Sequence, residues 1–145
     1  MTGADPFDLD RFVQAQAPVI DQVRRELAAG AKRSHWMWFV FPQLAGLGSS
    51  PMARRYAIGS LAEARAFMAD PVLSQRLAEL AGILLAHAGR APQSIFGEVD
   101  AMKLRSCLTL FEAADGGSVF GELLDGFFGG VRDPATLARL AGNEG

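Results

Sequence analysis

Ten side chains in three short stretches have the types and spacing that could hold a small ligand. The first stretch is "KRSHWMWFVFPQLAGLG", Lys32 to Gly48. It sets Lys32, Arg33 and His35 just ahead of both tryptophans of the chain, Trp36 and Trp38, and puts Gln43 directly after Pro42. Helix N-termini attract anions through their free amides and dipole, so a basic cluster at the entrance of a short aromatic helix would make an anion contact. A rigid aromatic segment followed by a Gly-rich loop also suits a pocket wall. The second stretch, "GLGSSPMARRYAI", is a Gly/Ser loop running into a helix that carries Arg54 and Arg55 on its first turn. It lacks the Gly-Lys-Ser/Thr of a Walker loop and has no strand before it, and a capped helix with two solvated arginines explains it as well as an anion site does. The third stretch is the row Asp100, Lys103, Ser106, spaced by three along one helix. Asp100 and Lys103 make either a structural ion pair or a lysine held ready for a phosphate or carboxylate. Ser106 has no histidine near it in sequence, so a nucleophile would lack its base.

Composition makes the two lysines conspicuous. The basic residues are twelve arginines against Lys32 and Lys103 alone, and an ammonium is kept where the planar guanidinium serves badly. Other chemistries find less support. His87 falls in the last turn of a helix, where the dipole favours a cation, and Cys107 sits on a core stripe as a small hydrophobe. Two histidines and one cysteine, far apart, do not make a metal site, and no cofactor is indicated.

The elements that must position these residues are helical throughout. Asp8 can cap Leu9 to Gln16, and Pro18 opens a segment that runs to Gly30 with Val19, Ile20, Val23 and Leu27 inside and Arg24, Arg25 and Glu26 outside. Ser34 can cap a buried helix from Trp36 to Phe41, apolar all round and stopped by Pro42. Ser50-Pro51, Ser60 with Glu63, Asp70-Pro71 and Asp133-Pro134 are N-terminal cap signatures. Ser118 can cap "VFGELLDGFF", which Gly129-Gly130 ends. In "FGEVDAMKLRSCLTLFEAADGG" the positions Leu104, Cys107, Leu108 and Phe111 form a core stripe, with Arg105, Thr109 and Glu112 opposite it. No alternating strand pattern exceeds about four residues, so an all-α fold is expected: a single compact multihelical domain of about seven or eight helices, several short, spanning 1–145 with its core over about 7–140.

Length, charge and hydropathy agree. A chain of 145 residues that is 50% apolar can bury a core. A net charge of −2 lacks the basic footprint of a nucleic-acid binder, and no apolar run is long enough for a bilayer. With no signal-peptide pattern and a lone cysteine, a cytoplasmic protein is expected.

Four segments in order, "SHWMWFVFPQLAGLGSS", "YAIGSLAEARAFMADPVLSQRL", "IFGEVDAMKLRSCLTLF" and "VFGELLDGFFGG", resemble an all-helical family of bacterial and fungal proteins catalogued as domain of unknown function eighteen-ten. The likeness runs from about Phe7 to Leu140 and implies a single multihelical domain without an established activity. The name calpastatin, sometimes attached to the family, does not suit a chain this apolar. A more distant likeness is to the NADAR N-glycosidases acting on ADP-ribose-type substrates, through His35 to Gln43, Ser60 to Phe67 and Lys103 to Phe111. That family carries a Glu-His pair where this chain has Ser34-His35, which removes the obvious acid.

The functional expectation is a pocket for a small anionic or nucleotide-like ligand beside the Trp-rich helix. Phe39 and Phe41 should pack the core while His35 and one tryptophan edge face the ligand, with Lys103 opposite. The alternative is a non-catalytic interaction domain in which the aromatics are core and the loops are the contact surface.

Overall fold

Side-chain caps set several helix starts. The structure is a computed structural model that describes residues 5–115 and 118–144. Nine helices occur among the described residues: α1 (Asp10–Gln16), α2 (Ile20–Ala29), α3 (Met37–Val40), α4 (Pro51–Arg55), α5 (Leu61–Ala69), α6 (Pro71–Leu85), α7 (Gln93–Asp115), α8 (Ser118–Phe128) and α9 (Pro134–Glu144). The fold is all-α, as expected; seven of the nine helices have seven or more residues, and α3 and α4 are single turns. Ser50, Ser60 and Asp70 accept hydrogen bonds from the first-turn amides of α4, α5 and α6, and Asp133 accepts from the Thr136 amide and hydroxyl of α9. Among the described residues there is no strand, only one parallel bridge between Leu44 and Ile58, and no helix long and apolar enough to cross a membrane.

Four local expectations need correction. Asp8 does not cap α1; it takes a left-handed backbone (φ 52°), and the Asp5 carboxylate accepts from the Leu9 and Asp10 amides instead. Ser34 does not cap α3, whose N-terminal flank is Trp36 with no side-chain cap. Glu26 is buried rather than outside α2. Thr109 is buried as well, because α9 covers that flank of α7: its hydroxyl donates to the Arg105 carbonyl and accepts from the Asp133 amide. At the end of α7, Gly116 and Gly117 lie outside the described residues, and Ser118 is the first residue of α8.

Helix α7 is the axis of the core, packed against α5 and α8. Leu104, Cys107, Leu108 and Phe111 are all buried, as the stripe requires. Phe111 lies between Phe67 of α5 and Phe120 of α8, with ring centroids 5.1 and 6.1 Å away. The helix is broken near its start by Gly97, at φ 79° and ψ 169°, a conformation essentially confined to glycine. The break starts a new helical run at Glu98 and so decides which way the Asp100–Lys103–Ser106 row looks.

Candidate functional site

The Lys32–Phe41 segment is organised by an anion, and that anion belongs to the protein. The Glu26 carboxylate accepts from the Arg33 amide (2.8 Å), the Ser34 amide (3.0 Å), the Ser34 hydroxyl (2.6 Å), the Trp36 indole (3.0 Å) and the Gln22 amide group (2.9 Å). Burial opposes the charge, but these bonds, led by the Ser34 hydroxyl and the Arg33 amide, outweigh it and bring the carboxyl from its ordinary 4.5 down to about 2. On the far side, Gln16 donates to the Phe39 carbonyl at 2.8 Å. A four-residue helix cannot satisfy its own ends; Glu26 and Gln16 hold α3 from its two sides. Trp36, Phe39 and Phe41 are thereby buried, Trp36 with its indole N–H satisfied, whereas Trp38 is partly exposed.

The two lysines meet at one aspartate. Lys32 Nζ is 2.9 Å from Asp100 and donates to the Ser34 carbonyl at 2.6 Å, and its side chain is only 8% exposed. Lys103 Nζ stands 3.7 Å from the other oxygen of Asp100, with 24% of its side chain exposed. Each ammonium lies over a tryptophan: Lys32 is 5.0 Å from the Trp36 ring and Lys103 is 5.4 Å from the Trp38 ring. Both faces of the aromatic segment are thus tied to the start of α7 by charge.

Beside this cluster runs a groove of about 300 Å³. One wall is α7, through Val99, Met102, Lys103 and Ser106; the loop after α3 contributes Gln43, Leu47 and Gly48, and Asp133 and Ala135 at the start of α9 complete the lining. The loop is held from outside by Arg139 of α9, whose guanidinium donates to the Gly46 carbonyl at 3.2 Å. Gly46 has φ +93°, and a side chain there would collide with that guanidinium. Between Trp38, Gln43 and Lys103 lies a separate gap of about 10 Å³, room for a single water at most.

The family described as "Protein of unknown function (DUF1810)" matches residues 6–140. The chain belongs to this family. It is also similar to the conserved hypothetical protein Rv1873 from Mycobacterium tuberculosis, whose crystal structure is 54% identical in sequence and superposes with a TM-score of 0.92 over 94% of this chain and 99% of that one. No curated protein matches the chain. Neither the family nor that relative carries an activity to transfer, so the reading of this DUF1810 chain rests on its own geometry.

Of the ten residues singled out by type and spacing, the DUF1810 fold brings Gln43, Lys103 and Ser106 to the groove and Trp38 to the gap beside it. Lys32 and Asp100 pair just behind them, and Trp36 is core. His35, Arg54 and Arg55 are exposed and do not line the groove; the Arg55 guanidinium lies 5.5 Å over the Tyr56 ring. Ser106 donates to the Met102 carbonyl, which leaves its oxygen as an acceptor. Burial pushes the Cys107 thiol far above its ordinary range, so it is inert as a nucleophile. His87 lies 2.9 Å from the Leu27 carbonyl and ties the end of α6 to α2. Glu26 is the residue that sequence reasoning missed. The signal was available: Glu26 lies three after Val23 and next to Leu27, on the edge of the buried stripe.

The two lysines therefore have separable roles. Lys32→Ala leaves the Ser34 carbonyl without its donor and Asp100 with only the looser Lys103 contact, and is expected to cost about 2–3 kcal/mol. Lys103→Ala removes a looser pair and one cation–π contact and should cost about 1 kcal/mol or less. His35→Ala, at an exposed position, should stay within about 0.5 kcal/mol of the parent. Urea denaturation of the three variants checks the order, and equal losses at Lys32 and Lys103 would contradict it.

Proposed function

We propose that this chain binds a small anionic ligand in the groove between α7 and the loop after α3, with Lys103 as the charge that holds it. The observation that carries the reading is the contrast between the lysines. Lys32 pairs closely with Asp100 Oδ2 at 2.9 Å, while Lys103, on the groove wall, stands 3.7 Å from Oδ1 of the same carboxylate. Lys103 is held in place between Asp100 and the Trp38 ring by the looser of the two contacts with that carboxylate. A cation fixed in advance binds an oxyanion with little further ordering cost. Gln43, which also lines the groove, has two amide donors for a second contact. Binding is the reading; the groove's carboxylate, Asp133, is already used as the cap of α9, and Asp100 behind it is paired with Lys32, and neither supports N-glycosidase chemistry.

A second reading, a non-catalytic interaction domain, is favoured by Val99 and Met102, 68% and 63% exposed on the groove rim. Either way we place the protein in the cytoplasm, on the strength of its single, unpaired cysteine, and away from nucleic acid, on its net charge of −2.

A thermal-shift screen separates the two readings. Inorganic phosphate, sugar phosphates, carboxylates, nucleotides and NAD derivatives are tested on the parent and on Lys103→Ala. A ligand that binds only the folded state raises its stability by about 2.7 kcal/mol at a hundredfold excess over Kd. At least one anion should raise the melting temperature of the parent and fail on Lys103→Ala. If no anion moves the parent, the ligand reading is abandoned in favour of the interaction domain.

A further inference from the structure

The groove's charge and lining restrict what kind of anion it takes. Lys103 is its one cation among the lining residues. Lys32 is consumed by Asp100, and Arg105, which does not line the groove, has its Nη2 3.5 Å from Asp133 Oδ1. The lining also includes a carboxylate, Asp133, which disfavours a second negative group beside it. A pyrophosphate or a dinucleotide needs several cations or a run of free helix amides, and neither is found here. The volume agrees, since about 300 Å³ is at the bottom of the roughly 300–1,000 Å³ of small-molecule sites.

The rest of the lining is apolar. Val99 and Met102 fall at i and i+3 of the same helix face that presents Lys103 and Ser106 at i+4 and i+7. Leu47 faces them from the loop and Ala135 from α9. Val99 and Met102 are more than half exposed, so a ligand laid along this face would remove apolar surface from water, the usual driving force of such a site. Methionine adapts readily to the shape of what it covers.

Resting on the proposed anion site, we infer that its ligand is an amphipathic organic monoanion: one carboxylate, or an equivalent singly charged group, on a hydrocarbon or aromatic body. The charged end meets Lys103 and the Gln43 amide. The body lies along Val99, Met102 and Leu47. The charged group keeps clear of Asp133.

The test is calorimetric titration of the full chain with octanoate, 4-phenylbutyrate, octanamide, pyrophosphate and ADP-ribose. At least one of the two acids should bind, and octanamide, which lacks the charge, should bind at least tenfold more weakly than octanoate. Lys103→Ala should abolish that tenfold preference. Met102→Glu, a change at an exposed position, should weaken the acids at least tenfold with the melting temperature preserved. Tighter binding of pyrophosphate or ADP-ribose than of either acid, lost in Lys103→Ala, overturns the monoanion inference and leaves the anion site standing. Equal binding of octanoate and octanamide, or binding of none of the charged probes, overturns both. Acids that bind through Lys103 but tolerate Met102→Glu overturn the apolar-body half of the inference alone.

Discussion

Glu26→Ala is expected to cost about 3–5 kcal/mol at neutral pH and to release the aromatic segment from the core. The change removes the acceptor of the Arg33 and Ser34 amides, the Ser34 hydroxyl and the Trp36 indole together. Buried donors left without partners cost roughly 1–3 kcal/mol each before relaxation, and breaking a buried charged network costs about 3–5. The pH dependence identifies the cause. The unfolded carboxyl protonates near its ordinary 4.5, whereas the folded one keeps its charge down to about 2. Its contribution is therefore complete above pH 4.5 and is lost as pH falls through about 2. The gap between parent and variant in urea midpoints should be widest at pH 6–7 and should narrow steadily toward pH 2–3. A gap that stays constant over that range would mean that the carboxylate's charge is not what holds the segment. Trp36 fluorescence should move to the red in the variant as the indole loses its partner and meets water.

Phe111→Ala is expected to cost a comparable amount, about 3–5 kcal/mol, by a different mechanism. The ring is fully buried between Phe67 and Phe120, at the junction of α5, α7 and α8. Three helices fixed by their other contacts cannot close over the missing ring, so a cavity remains and adds to the lost transfer energy. The melting temperature should fall by on the order of 10 °C. Unlike the Glu26 variant, this loss should be the same at pH 7 and pH 4. A loss under about 1 kcal/mol would mean that the core collapses around the site far more easily than its packing implies.

These two residues also mark what could be read from the chain. Phe111 was legible because the i, i+3, i+4, i+7 spacing of Leu104, Cys107, Leu108 and Phe111 is a property of one helix, and the Ser/Asp-Pro caps behave in the same local way. Glu26 and Thr109 were misplaced because their burial is decided by what packs on them from elsewhere, the Lys32–Trp36 segment in one case and α9 in the other. The basic corner ahead of Trp36 suggested an external anion, but sequence spacing could not reveal that Glu26 turns back to accept from the Arg33 and Ser34 amides while Lys32 pairs with Asp100. The meeting of Gln43 with Lys103 depends on α7 being broken at Gly97 and on the loop being held by Arg139. Both are tertiary facts with faint local signatures, each resting on a glycine at positive φ.

The bridge between Leu44 and Ile58 gives the chain an evolutionary hinge of another kind. The Ala45 amide donates to Ile58 and the Ile58 amide to Gln43, so the excursion between them leaves and rejoins the body at a single closed neck. Within it, α4 contributes no buried residue. A loop pinned at its neck tolerates insertion at its tip at a cost that grows only logarithmically with length. Yet the same excursion supplies Leu47 and Gly48 to the groove. A segment open to lengthening, shortening or grafting at its tip is thus one that lines the groove. Relatives could diverge in the groove wall while leaving every core residue untouched, and an engineer could exchange Leu47 to Arg54 as a cassette that keeps the Gly46–Arg139 and Arg55–Arg11 ties.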